Sequence, residues 1–64
     1  MRENRKLKGA RVEKRLTQED MSRMLGISRL AYVYKENGRY SFTEQEIKKV
    51  CEVLEKEPQD IFFN

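Results

Sequence analysis

QEDMSRMLGISRLAYVYKENG, residues 18–38, holds two short helical patterns separated only by Leu25-Gly26-Ile27-Ser28. Met21 and Leu25 stand four apart on one face of the first pattern, with the small Ser22 beside Met21. Gly26 suits the left-handed conformation that ends a helix, since it has no Cβ to clash. Ile27 is then expected to turn inward, and Ser28 to cap the helix that follows. Upstream, Thr17 reads as an N-cap with Gln18, Glu19 and Asp20 forming an acidic first turn. Asp20 takes the third position, where Glu or Gln would complete a full capping box. Downstream, a helix is expected over Arg29–Glu36, stopped by Asn37-Gly38 with Gly38 left-handed.

Two helices crossing at a glycine-containing corner make a helix-turn-helix, an arrangement whose second helix enters the major groove of DNA. The rest of the chain builds outward from this unit. A first helix over about residues 4–14 carries Leu7, Ala10, Arg11 and Lys14 at helical spacing, and Leu16 follows as a buried anchor. Thr43-Glu44-Gln45-Glu46 is a complete capping box, and Ile47, Val50, Cys51 and Leu54 form the apolar face of the helix it starts. Pro58 suits the first turn of a short fifth helix, after which Ile61 and Phe62 close the core. No strand pattern of any length occurs. The expectation is all-α: one domain over residues 1–64, with residues 1–4 frayed.

Sixty-four residues lie near the lower limit for a self-sufficient hydrophobic core. One cysteine and no histidine exclude an intramolecular disulfide and argue against a zinc site. The missing histidine also removes the usual general base, and no serine sits in a nucleophile motif, so no catalytic residue, metal or cofactor is expected. No apolar run approaches the roughly 20 residues of a membrane span, and no signal peptide is visible. The expected setting is the bacterial cytoplasm, at the nucleoid. Charge is unevenly divided: residues 1–42 carry eleven Lys and Arg against five acids, whereas residues 43–64 carry three against six. That asymmetry fits a polyanion approached from one side, or simply a solvated surface.

Taken together, Leu7, Arg11, Leu16-Thr17-Gln18-Glu19, Leu25-Gly26-Ile27-Ser28-Arg29, Glu36-Asn37-Gly38 and Ile61-Phe62 resemble the Cro/phage-repressor family, also called the xenobiotic-response-element family. The resemblance spans roughly residues 5–63. It implies a compact five-helix, lambda-repressor-like DNA-binding domain. By that resemblance Arg29, Leu30, Val33 and Tyr34 face base edges. Arg29 has the chemistry to bond guanine bidentately, and Leu30 to meet a thymine methyl. Gln18 matches a phosphate-binding glutamine at a helix N-terminus. Asn37, Arg39, Tyr40 and Ser41 match a loop that grips the sugar-phosphate backbone through amides and side chains, and Ser28 and Arg11 join the backbone contacts. Arg11 and Glu36 match a partly buried salt bridge, which either aims Arg11 at the DNA backbone or is purely structural.

The chain departs from the family pattern at several points. Lys35 replaces a large apolar residue, its stem expected to pack while the amine snorkels outward. Phe42 is expected to supply the missing volume. Tyr32 is bulkier than the usual β-branched residue, and Arg15 stands where relatives close the first helix with glycine. Cys51 reads as an inert buried thiol, and Met21 and Met24 as core and edge-of-core filler. The acidic set of Glu44, Glu46, Glu52, Glu55 and Glu57 reads as a solvated surface away from DNA.

These features imply a sequence-specific transcriptional regulator of phage, prophage or mobile-element origin. It is expected to bind double-stranded DNA as a homodimer on a partly palindromic operator and to block transcription, with no small-molecule effector. The expected dimer surface is the fifth helix and the loop before it, with Pro58 and Phe63 as contacts. Two other functions fit the same residues: a protein-interaction module such as an antitoxin or antirepressor, and a DNA-bending recombination accessory factor.

Overall fold

The computed structural model describes residues 4–62. Five helices follow one another: α1 (Arg5–Glu13), α2 (Gln18–Leu25), α3 (Arg29–Glu36), α4 (Glu44–Leu54) and α5 (Pro58–Ile61). No strand occurs among the described residues. Helix α2 packs most extensively on α3 and also touches α4, while α5 bridges α1 and α4. Leu7, Ala10, Met21, Tyr32, Val50, Leu54 and Ile61 form the buried core, and Leu16, Leu25, Ile27, Phe42, Val53 and Phe62 pack around it. Ile47 on α4 is only half-buried, and Met24 lies outside the core at 43% exposure.

Local chemistry explains where each helix begins. Asn4 Oδ1 accepts the Leu7 N–H at 3.0 Å, and the Asn4 N–H itself donates to the Glu36 carbonyl at 2.8 Å. Asn4 is therefore an ordered N-cap that ties α1 to the end of α3, not a frayed residue as expected. Residues 1–3 lie outside the described part. Thr17 Oγ1 accepts from the Asp20 N–H at 3.0 Å, and the Thr17 N–H donates back to Asp20 Oδ2 at 2.9 Å. An aspartate thus completes the reciprocal box that the longer Glu or Gln was expected to require. Ser28 caps α3 through Ala31, and the Thr43–Glu46 box is present as expected.

The ends of α1 to α4 follow a single device. After α1, Arg15 N–H donates to the Val12 carbonyl and Leu16 N–H to Arg11. The same double bond pattern, a Schellman motif, closes α2 through Gly26 and Ile27, α3 through Gly38 and Arg39, and α4 through Glu55 and Lys56. The residue at the turn has positive φ each time: 70° at Gly26 and 84° at Gly38, but also 59° at Arg15 and 56° at Glu55. Arg15 therefore makes the glycine turn with a side chain in place. A left-handed L-residue costs roughly 1–2 kcal/mol, so these two positions store strain that the glycines do not.

Tyr32 is completely buried. Its ring meets Phe42 edge-on at 6.2 Å, and Phe42 in turn meets Phe62 at 5.3 Å. Phe42 thus fills the space under α3, as expected. The Lys35 amine does not snorkel to solvent. It bonds Glu46 Oε1 at 2.5 Å, with both side chains largely buried, and lies 5.9 Å from the centre of the Phe42 ring. Glu46 was already brought there by its capping role at Thr43, so the lysine finds a carboxylate on the inside. Cys51 is buried, and burial with Glu57 and Asp60 nearby raises its thiol pKa, keeping it protonated.

Candidate nucleic-acid interface

Helix α3 turns Tyr32 and Glu36 inward and leaves its other side to solvent. Arg29 and Leu30 are exposed at its start, and Val33 and Tyr34 are half-buried one turn later. The four residues lie at i, i+1, i+4 and i+5, which places them on one helical face. Arg29 makes no ion pair among the described residues, so its guanidinium is open to a ligand. Ser28 Oγ is occupied as acceptor by the Ala31 N–H but keeps its hydroxyl proton.

The end of α3 is held by a small cluster. The Tyr34 ring meets the Tyr40 ring edge-on at 5.4 Å, and the Arg39 guanidinium carbon sits 5.3 Å from the Tyr34 centroid. The loop amides, however, turn inward: Asn37 N–H bonds Val33, Gly38 N–H bonds Lys35, and those of Arg39 and Tyr40 both bond the Tyr34 carbonyl. The amides of Asn37, Arg39 and Tyr40 thus have acceptors within the chain in this conformation. Their side chains, with that of Ser41, are exposed.

Glu36 is the buried hub beneath this face, 1% exposed. Its Oε2 accepts from Arg11 Nε at 2.8 Å and from the Tyr32 hydroxyl at 2.7 Å. Its Oε1 accepts from Arg11 Nη2 at 3.2 Å and from Gln18 Nε2 at 3.0 Å. Burial alone would raise the Glu36 carboxyl, but the bonds from Arg11, Tyr32 and Gln18 prevail and hold it below its ordinary value. Tyr32 is pushed the other way, chiefly by burial and then by its bond to Glu36, and stays a neutral phenol. One carboxylate thus joins α1, α2 and α3. The family resemblance anticipated the pairing of Arg11 with Glu36; the Tyr32 and Gln18 bonds were missed, although Tyr32 and Glu36 stand at i and i+4.

Arg11 is the member of the expected backbone-contacting set that lies elsewhere. It is 7% exposed, with Nη1 donating to the Leu16 carbonyl at 2.7 Å, so its guanidinium serves the interior rather than an external phosphate. Gln18 is half-buried at the first position of α2. One amide proton is committed to Glu36, which leaves the second proton, with the Gln18 and Glu19 N–H groups, without a partner among the described residues. Of the acids beside it, Glu19 is paired with Arg23 at 2.8 Å, while Asp20 keeps its charge, its carboxylate held ionised by the bonds from Thr17. Of the expected dimer contacts, Pro58 is half-buried at the start of α5, and Phe63 lies outside the described residues.

A helix seated across a glycine corner, with an open polar and apolar face beside arginines that make no ion pair among the described residues, defines a DNA-binding helix-turn-helix unit. Residues 7–61 match the Helix-turn-helix family model, and the chain belongs to that family, in its Cro/phage-repressor type. No curated protein matches the chain at a significant level. No helix of the structure is long and apolar enough to cross a membrane. No cluster of metal-binding side chains occurs among the described residues.

Proposed function

We propose that the protein is a non-enzymatic, sequence-specific repressor of phage, prophage or mobile-element origin, acting in the cytoplasm as a single domain. It covers a promoter by binding a partly palindromic operator as a homodimer. The observation that carries this reading is the split face of α3, whose buried side is clamped by Glu36 while Arg29 and Leu30 stand free. Arg29 is assigned to a base edge, with Leu30, Val33 and Tyr34 beside it. Gln18, Ser28, Asn37, Arg39, Tyr40 and Ser41 are assigned to the sugar-phosphate backbone. Dimerisation is assigned to the α5 end, including Pro58 and Phe63, and places two recognition helices about 34 Å apart.

Selection from random duplex DNA at about 150 mM salt tests this directly. A two-fold symmetric motif is the expected product, and binding that loses all sequence preference would refute it. On the enriched site, Arg29→Ala should cost about 1–3 kcal/mol and far less on random DNA. Equal losses on both would reassign Arg29 to phosphate. The exposure of Leu30 and Tyr40, 57% and 58%, favours one second reading, a protein-binding module of the antitoxin or antirepressor kind. Co-purification with the product of a neighbouring gene, together with failure of the selection, would establish it.

A further inference from the structure

The segment joining α3 to α4, residues 37–43, is neither helix nor strand, yet Lys35 holds both of its ends. On the near side, the Lys35 carbonyl accepts the Gly38 N–H at 3.2 Å. On the far side, the Lys35 amine donates to Glu46 Oε1, and the same oxygen accepts the Thr43 N–H at 2.9 Å. The last turn of α3 and the entry of the loop into α4 therefore meet at a single carboxylate oxygen. Between these ends, the N–H groups of Ser41 and Phe42 find no acceptor among the described residues. Phe42 is the one loop residue that is not exposed, and the Lys35 amine lies 5.9 Å from the centre of its ring.

A pair placed so deeply contributes little to stability by itself. Its side chains are 14% and 13% exposed, and stripping water from two charges offsets much of their attraction. What the pair supplies, and an apolar contact does not, is direction: a hydrogen bond to a fixed oxygen sets both distance and angle. We infer that Lys35 and Glu46 are positioning residues for DNA, their ion pair closing the 37–43 loop into the shape in which Asn37, Arg39, Tyr40 and Ser41 meet the sugar-phosphate backbone. The inference rests on the DNA-binding reading above, which assigns those four side chains to the backbone. A loop already in its binding shape loses little freedom on docking. One that takes that shape only part of the time binds more weakly by the same fraction.

The double variant Lys35→Met/Glu46→Gln removes both charges together, so that neither is left buried alone, and glutamine can keep the capping bond to Thr43. Its melting temperature is expected to match or exceed that of wild type. In the free protein, the Arg39 and Tyr40 amides, which bond the Tyr34 carbonyl, should exchange their protons about tenfold faster, while those of α4 keep their protection. On the site enriched from random duplex DNA, affinity should fall about fivefold, as for a loop correctly shaped about a fifth of the time. Glu46→Gln alone should show both changes at smaller size, and it carries the test if the double variant fails to fold. Unchanged loop exchange, or faster exchange at unchanged affinity, overturns the inference and leaves the DNA-binding reading intact. Exchange that quickens alike in every helix, with a lower melting temperature, makes the pair a support of the whole fold and overturns it too. Absence of any enriched motif for wild type overturns the DNA-binding reading and the inference with it.

Discussion

Replacing Glu36 by alanine strands three partners at once. Arg11 loses acceptors at 2.8 and 3.2 Å while remaining 7% exposed. The Tyr32 hydroxyl, within a fully buried side chain, loses its 2.7 Å acceptor, and Gln18 loses the bond that holds its amide inward. Breaking a buried ion pair by removing one partner costs about 3–5 kcal/mol, because the remaining charge is left uncompensated. Domains have roughly 0.05–0.15 kcal/mol of stability per residue, so a chain of this size has about 3–10 kcal/mol in all. Glu36→Ala should therefore remove most of the folding free energy. Urea unfolding followed by far-UV circular dichroism reads this out; with a slope near 1 kcal/mol per molar, the midpoint should fall by about 3 M or disappear. Arg11→Ala and the double variant complete a cycle. A coupling of about 1–3 kcal/mol is expected, since the second truncation removes a group already stranded. A Glu36→Ala midpoint within about 1 M of wild type, at unchanged slope, would refute the hub.

The same carboxylate sets the acid limit of stability. A folded-state pKa held below the ordinary value contributes stability that is complete above the unfolded pKa, near 4.3. That contribution is lost as pH falls through the folded value. Glu36 and Glu46 both have this sign: burial opposes it in each, and bonds from Arg11, Tyr32 and Gln18, or from Lys35 and Thr43, overcome it. Urea midpoints should hold steady from pH 7 to about 5 and fall below that; equal midpoints at pH 7 and 3 would contradict it. Tyr32→Phe keeps the ring and deletes one bond to a charged acceptor, an expected loss of about 1.5 kcal/mol. Tyr34→Phe, whose hydroxyl makes no bond among the described residues, should change little by the same unfolding measurement. Arg15→Gly relieves a positive φ of 59°, a gain of roughly 1–2 kcal/mol offset by about 0.5–1 from glycine's freedom when unfolded. A net stabilisation of about 0.5–1 kcal/mol should appear as a higher melting temperature, and a lower one would show that Arg15 contributes something the fold does not reveal.

The helix-turn-helix was legible because its signals are local. Thr17, Gly26, Ser28, Gly38 and Thr43 each act within four residues of their partners, so the order of the helices, the bounds of α2 and α3 and the start of α4 follow from local signals. What escaped reading depends on residues far apart in the chain. Tyr32 is tolerated in place of a smaller residue because its hydroxyl reaches Glu36 and its ring meets Phe42. Lys35 is tolerated at an inward position because Glu46, eleven residues on, waits there. Arg15 and Glu55 adopt glycine's conformation because their helices must turn sharply to pack, a demand that no propensity records. The recognition surface obeys the same logic in reverse. Burial of Tyr32 and Glu36 fixes the rotation of α3, and with it which residues are left outside. Arg11, though basic and suitably spaced, is drawn into the interior by that same carboxylate. On the proposed DNA-binding reading, specificity is thus set from beneath: a change at Glu36, Tyr32 or Gln18 that spares folding should alter the sequence preference assigned to Arg29 and Leu30 without touching either one.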